Sequence, residues 1–449
     1  MPTGGGLLQL VARGKQDIFL TGNPQTTFFK LIYRRHTNFA TQSQIMIFDG
    51  ITDFGKTVIC TVPRAGDLLG KLYLRVTLPQ LTQYGTAIPV SYVNAIGHAL
   101  INYITIEIGE KQVDKQTGEW MEVWSQLTTR ASQTGAMNSM IGRVDGYAAP
   151  DIIASSVGGL VVYIPLQFWF CRNPGLYLPL IALQYHPVRI RLNIAPLQNL
   201  AWIPDIGSGT NTTNNQCNPT ANIVNDAHII DMAIWGDYVF LDKEERRTFV
   251  ESPLEYLIEQ VQDSQPISVP ESQFSVQVPI EFNNPIKEFI MLVQRKQAVL
   301  GHEYFNYSSL NIGESFPFPL PYPISGYITP GTTRVGLLDS AVLLLDGFER
   351  FDERDSQYFD TIQPYDHHTS TPVGSFINIY SLALRPEEVQ PSGSLNASRI
   401  DKIVWQFKMN QLLNNVSGYT KGDCTVRIYG LTQNIFKVCQ GMGGVLFST

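Results

Sequence analysis

The stretch K-L-Y-L-R-V-T-L, Lys71 to Leu78, sets the fold class. Leu72, Leu74, Val76 and Leu78 alternate with Tyr73, Arg75 and Thr77, so a strand here carries its aliphatic side chains on one face and its polar ones on the other. The same period of two returns at Ile104, Ile106 and Ile108 around Thr105 and Glu107, and at Val188, Ile190, Leu192 and Ile194 around Arg189, Arg191 and Asn193. The second half of the chain supplies Phe274, Val276, Val278 and Ile280, then Ile403, Trp405, Phe407 and Met409. Half-buried strands of this kind pair into antiparallel sheets with one wet face. The expectation is an all-β protein.

Working outward, 449 residues with 44% hydrophobic, 11% aromatic and only 16% charged side chains can bury a sizeable core. A β-sandwich often runs to about 200 residues as one unit, so two large β domains fit the length. The 36 glycines and 27 prolines are spread along the chain, which suits many short strands joined by turns. Helical signal is scarce. Gln116 to Thr129 places Trp120, Val123, Trp124 and Leu127 on one helical face. Lys243 to Val250 can be capped by Asp242, carries Glu244 and Glu245 near the positive end of its dipole, and is stopped by Pro253. Strands finish before it at Asp237 to Leu241 and restart at Glu255 to Val261, so it reads as a connector between domains. Each half closes with a long alternating strand, an irregular loop and a short aromatic strand: Val188 to Ile194 then Tyr238 to Leu241, and Ile403 to Met409 then Val426 to Tyr429. The first half is lengthened by Asn199 to Asn225, whose Gly, Thr, Asn and Pro content reads as an exposed loop.

Charge excludes a general nucleic-acid binder. The formal net charge is -7, whereas phosphate neutralisation needs clustered Lys and Arg. Residues 1 to 40 are only +4, from Arg13, Lys15, Lys30, Arg34 and Arg35 against Asp17. No direct nucleic-acid partner is expected. Cys60, Cys171, Cys217, Cys424 and Cys439 are odd in number and lack metal-ligand spacing, so they read as reduced thiols. The most apolar run, Gly158 to Phe170, is short and interrupted by Pro165 and Gln167, and neither a membrane span nor a signal peptide is read. Met1-Pro2-Thr3 also lacks the glycine that N-myristoylation requires.

The segment richest in titratable groups is L-D-G-F-E-R-F-D-E-R-D-S-Q-Y-F-D-T-I-Q-P-Y-D-H-H-T, Leu345 to Thr369. Asp346, Glu349, Asp352, Glu353, Asp355 and Asp360 precede His367 and His368, and paired carboxylates are how glycosidases work. The interleaved Arg350 and Arg354, with the D-G and Q-P-Y turns, favour a structural reading. Read as neighbours in a strand, His367 and His368 point to opposite faces and cannot share a metal. Gly4-Gly5-Gly6 has no preceding strand and no following G-K-[ST], so it is no phosphate loop. Ser392 and Ser394 flank Gly393 in a turn without a nucleophile elbow. No catalytic, cofactor or metal residue is therefore assigned. Sequons at Asn211, Asn306, Asn396 and Asn415 are the only candidate modification sites.

Five ordered blocks then resemble one family, the double jelly-roll major capsid proteins of nucleocytoplasmic large DNA viruses, of the algal-virus and giant-amoeba-virus type. They are G-G-G-L-L-Q-L-V-A-R-G-K-Q-D-I-F-L-T-G-N-P-Q-T-T-F-F-K-L-I-Y-R-R-H-T-N-F from Gly4, R-N-P-G-L-Y-L-P-L-I-A-L-Q-Y-H from Arg172, D-Y-V-F-L-D-K-E-E-R-R with E-Y-L-I-E-Q-V-Q from Asp237, Leu345 to Ile400, and G-M-G-G-V-L-F from Gly441. Relatives commonly carry a glutamate after Q-Y-H, where this chain has Pro187. The resemblance implies two tandem antiparallel eight-stranded jelly rolls with short helices in loops: an arm over 1–26, a first jelly roll over 27–241, a connector over 242–252 and a second jelly roll over 253–449. It implies a homotrimer of near-hexagonal outline that tiles an icosahedral shell, outermost in the virion and assembled in host cytoplasm. The implied partners are neighbouring capsomers, minor capsid and penton proteins and, through the arm, an internal viral membrane. No cofactor is implied. A virion carbohydrate-binding or attachment jelly roll is the alternative, and it would need an aromatic platform or calcium site that the sequence does not display.

Overall fold

The alternating segments become strands. The computed structural model describes residues 4–81, 91–143, 159–202, 227–309, 335–372, 374–411 and 422–447. The chain divides into two units, Met1–Phe39 and Ala40–Thr449. In the first unit, Gly4–Val11 and Ile18–Thr21 are short helices, and every described residue but Asp17 is exposed.

In the second unit the first half contributes β1 Phe39–Ile47, β2 Thr57–Thr61, β3 Leu68–Leu78, β4 Ile101–Ile108, β5 Lys111–Thr117, β6 Leu160–Pro165, β7 Val188–Ile194 and β8 Asp231–Leu241. The second half contributes β9 Leu254–Asp263, β10 Ser275–Ile280, β11 Pro285–Arg295, β12 Leu338–Leu345, β13 Phe348–Glu349, β14 Asn378–Ser381, β15 Ile403–Met409 and β16 Cys424–Cys439. Hydrogen bonding orders the first set as β1-β8-β3-β6 and β2-β7-β4-β5, and the second as β9-β16-β11-β14 and β10-β15-β12-β13. The two halves therefore share one connectivity, in which the last strand returns to lie between the first and the third. That is the jelly-roll order, used twice.

Each sandwich is filled by the inward side of its alternation. Leu72, Leu74 and Val76 of β3 and Ile190 and Leu192 of β7 lie in the first core. Trp405 of β15 centres the second, edge-on to Phe289, Phe359 and Tyr380 and stacked on Phe407. The run Phe289 to Val293 does not alternate in polarity, because both faces of β11 are covered. Phe289, Met291 and Val293 enter the second core, while Ile290 and Leu292 join the apolar cluster of the first half.

Two elements depart from the sequence reading. The closing strands are not short: β8 has 11 residues and β16 has 16. Thr432, Gln433 and Asn434 break the apolar pattern of β16, yet they are buried, with Asn434 Nδ2 donating to Gln260 Oε1 at 2.8 Å and to the Phe447 carbonyl at 2.9 Å. His367 and His368 do not lie in a strand. A π-helical turn, Tyr358–Ile362, runs into a short helix ending at His367, because Pro364 suits a helix's first turn.

Of the longer helices, α1 Gly118–Thr128 and α3 Lys243–Glu251 are the two anticipated, and α2 Thr134–Ile141 follows α1. The short helix Gln363–His367 is α4. Asp242 caps α3, its Oδ1 accepting from the Lys243 amide at 2.7 Å. Thr117 caps α1, its Oγ1 accepting from the Trp120 amide at 3.2 Å, and α1 buries Trp120, Val123, Trp124 and Leu127. Replacing Thr117 with valine should lower stability by about 1 kcal/mol through loss of that acceptor. A urea midpoint unchanged from the parent would refute the cap's contribution.

Candidate functional site: the seam between the two halves

Buried and half-buried charged side chains gather where α1 and β5 of the first half meet β9 and β16 of the second. Thr117 ends β5 and starts α1, so Glu119 falls in the helix's first turn, beside β16. Its carboxylate pairs with Arg427 and accepts from Tyr429 Oη at 2.7 Å. Thr117 Oγ1 lies 3.1 Å from the same phenol, and the Trp120 ring is 5.6 Å from it. Burial and then Glu119 push the Tyr429 phenol well above its ordinary range, so it stays a donor.

One strand over, Glu259 on β9 takes two cations. Arg172 reaches it at 2.7 Å from the first half, and Lys287, with no exposed surface, donates to it from β11. The Lys287 ammonium also donates to the Glu388 carbonyl at 2.9 Å, and the Arg172 guanidinium lies 4.4 Å from the Trp124 ring centre. Asp114 on β5 accepts from the Val261 amide at 3.1 Å and from Gln116 at 2.9 Å, which leaves its carboxyl buried. Burial raises its pKa to about 6 despite these donors.

His368 sits at the third point of the seam. Its Nε2 is 2.9 Å from Glu288 Oε2 on β11 and its Nδ1 is 2.9 Å from Glu387 Oε1. The ring stands edge-on to Trp124 at 6.2 Å, and two residues on the Ser370 amide donates to the Leu127 carbonyl at 2.9 Å. Burial opposes the imidazolium, but the two glutamates outweigh it and raise its pKa to about 9. Behind α1, Glu122 is held by His98 at 2.7 Å and Arg143 at 2.6 Å. Burial alone would raise its pKa, and these partners instead bring it down to about 2.

Each of these charges faces a partner, and the Glu119–Arg427, Glu119–Tyr429, Arg172–Glu259 and Asp114–Val261 contacts join the two halves. Sequence reasoning missed this cluster. The available signal was Lys287-Glu288 inside the apolar run of β11, since charges buried there must be paired.

The acidic segment singled out above is dispersed by the fold. Glu353 pairs with Lys408 at 2.6 Å, Asp346 accepts from the Lys402 amide at 2.8 Å and Asp355 from the Tyr358 amide at 3.2 Å. Asp360 is buried, which raises its pKa to about 6. The pairing cation is Lys408 of β15, so the stabilisation comes across the sheet. His367 is 3.1 Å from the Leu384 carbonyl. Among the described residues no group of three or more His, Cys, Asp or Glu could hold a metal. Burial pushes the Cys60 and Cys171 thiols up to about 12. Asn306 is buried, its amide donating to Glu303 and its Oδ1 accepting from the Ser308 hydroxyl at 2.6 Å, whereas Asn396 is exposed. Asn211, Asn415, Cys217 and the loop from Ser208 to Pro219 lie outside the described residues. Pro187 immediately precedes β7, and its carbonyl accepts from the Gly109 amide at 3.1 Å.

Residues 27–242 match the family model of the major capsid protein N-terminus, and residues 245–444 match that of the large eukaryotic DNA virus major capsid protein. The chain is 36% identical to the major capsid protein of Phaeocystis pouchetii virus, covering 99% of both. A chain of the PBCV-1 virus capsid superposes with a TM-score of 0.72 at 27% identity, over 94% of this chain and 100% of that one. The Faustovirus major capsid protein, 13% identical, shares the fold with a TM-score of 0.70 over 95% of this chain and 94% of its own.

Proposed function

Because this chain belongs to the major capsid proteins of large eukaryotic DNA viruses, we propose that it forms a homotrimer of near-hexagonal outline as the unit that tiles the shell. It is a structural component of the virion capsid and assembles there with other capsid subunits. The observation that carries the trimer is the single connectivity used twice, which gives each chain two similar wedges and three chains six. Light scattering should return about 151 kDa for three copies of the 50.3 kDa chain. A lone monomer at micromolar concentration would overturn the reading.

Within that reading, residues 27–241 and 253–449 are the two wedges, 242–252 the connector and 1–26 an arm that reaches minor capsid or penton proteins and the internal membrane. The exposed Leu7, Leu8, Leu10 and Val11 need a surface to cover, and the modest positive charge around them suits an acidic or anionic one. Deleting residues 2–25 should leave trimers whose melting temperature is near that of the parent but few closed particles in infected cells. Failure of the truncated chain to fold would place the arm in the first core. Shell assembly occurs in host cytoplasm, where the buried thiols stay reduced. The protein has no hydrolase activity of its own. Oligosaccharide turnover lost on changing Glu349 and Asp352 to alanine would contradict that. Asn396 is the accessible sequon among the described residues, and glycan mass on its peptide is the check.

A further inference from the structure

The seam leaves a space unfilled. Where one end of β4, the start of α1 and the turn after β7 in the first half face β9, β11 and β16 of the second, a cleft of about 480 Å³ opens. Small-molecule sites commonly measure about 300–1,000 Å³. Six amide, carboxylate and guanidinium side chains line it: Asn102, Glu119, Asn199, Asp263, Gln294 and Arg427. Asn102, Asn199 and Asp263 are exposed and the other three half-buried, so the polar lining runs from solvent into the seam.

The aromatic wall of the cleft is fixed from both halves. Tyr304 follows β11 in the second half, and its Oη donates to the Asn199 carbonyl of the first at 2.9 Å. His302, its ring nearly parallel to that of Tyr304 with centres 6.0 Å apart, reaches the Ala201 carbonyl at 2.7 Å through Nδ1 and keeps a left-handed backbone, φ 59°, that residues other than glycine seldom adopt. The deeper end is closed by the pair of Glu119 and Arg427. Asn102 Nδ2 donates to Asn193 Oδ1 at 2.8 Å and Gln294 Nε2 to the Tyr304 carbonyl at 2.7 Å, so each amide is oriented with its oxygen left to accept.

A hydroxyl donates and accepts at once, whereas a carboxylate only accepts, a guanidinium only donates and an amide does both in one plane. A ligand dense in hydroxyls can therefore meet all six side chains. An anion would face two carboxylates against one guanidinium, an organic cation would offer Arg427 nothing to donate to, and an apolar ligand would strip water from the polar groups without replacing its hydrogen bonds. Tyr304 offers an apolar ring face to the C–H side of a sugar. We propose that the cleft binds a neutral saccharide of one or two hexose units, with Asp263 and Asn199 hydrogen-bonded to its hydroxyls and Tyr304 against its ring. This gives the protein a carbohydrate-recognition function beyond building the shell, and it does not depend on the trimer, since one chain supplies the whole lining. A bound sugar touches both halves and so also braces the seam.

Saturation-transfer NMR on the full-length protein tests this with glucose, galactose, mannose, N-acetylglucosamine, lactose and cellobiose, beside choline and sulfate. At least one neutral sugar should receive saturation, and neither ion should. Asp263→Ala, which removes an exposed carboxylate, should raise the Kd of that sugar about tenfold or more, the loss of a hydrogen bond to a charged group, with the parent's folded spectrum and mass unchanged. Tyr304→Ala should weaken binding as well, through the lost ring face. If Tyr304→Ala loses the folded spectrum, Asn199→Ala reads the same cleft. The same sugar as the terminal residue of an immobilised glycan separates two sources: capture of the protein assigns the site to glycan ends, and binding of the free sugar alone assigns it to a soluble one. Silence from every neutral sugar would overturn the proposal. So would binding that the variants leave at parent strength, which would put the sugar elsewhere, or saturation of choline or sulfate in place of a sugar.

Discussion

Replacing Glu259 with alanine should cost about 3–5 kcal/mol, the usual penalty for removing one member of a buried ion pair. Lys287 is fully buried and would keep only the Glu388 carbonyl, while Arg172 would lose its one carboxylate contact across the seam. An ammonium left in that position must either stay charged without a counterion or give up its proton, and both are unfavourable. The loss should appear at the contact between halves, so chemical denaturation should change from one transition toward two as the sandwiches uncouple. Replacing both residues, Glu259→Leu with Lys287→Met, should recover most of the loss, since an apolar pair of similar volume removes the desolvation cost along with the attraction. A Glu259→Ala protein within about 1 kcal/mol of the parent would show that solvent reaches Lys287 and that the pair adds no more than a surface one.

How far the sequence disclosed this arrangement depends on which physical signal each element carries. In β7 every second residue is buried, and the alternation of Val188 to Ile194 states that directly. In α1 the spacing of Trp120, Val123, Trp124 and Leu127 did the same for a helix. The closing strands were underestimated because a polar residue inside a sheet looks like a strand end until its partner is known. Asn434 and Thr432 are satisfied by Gln260, a residue more than 170 positions away in the chain. The seam was illegible for the same reason. Glu119 and Glu259 read singly are ordinary surface charges, and only the tertiary fold brings them to Arg427 and Arg172 across the seam. The run around β11 was the one local sign, since a strand apolar at every position has both faces covered. The histidine pair misled because Pro364 hides a helix one turn long behind turn-forming residues.

Raising the pH should loosen the seam through His368. Its folded pKa of about 9 lies above the 6.5 of a free imidazole, so the folded chain holds the proton more tightly than the unfolded one. The stabilisation is complete below pH 6.5 and disappears as pH climbs through 9, and the gap between the two values corresponds to about 3 kcal/mol. The groups facing the ring are Glu288 from β11 and Glu387 from the segment after β14, with Trp124 of α1 against its edge. Once the imidazole is neutral, two carboxylates confront each other across it with no intervening charge, and the Ser370 contact with α1 weakens beside them. Other buried groups titrate outside this window. Asp114 and Asp360, both raised to about 6, lose their stabilising effect as pH rises through 6, before the histidine begins to act. Cys60 and Cys171, raised from 9.0 to about 12, add a loss of their own only above pH 9. The parent's denaturation midpoint should therefore fall steadily between pH 7 and pH 8.5. A His368→Gln protein should start lower, because an amide cannot neutralise both glutamates, and then hold level over that interval. Equal slopes in the two proteins would show that the proton lost is not the one on His368.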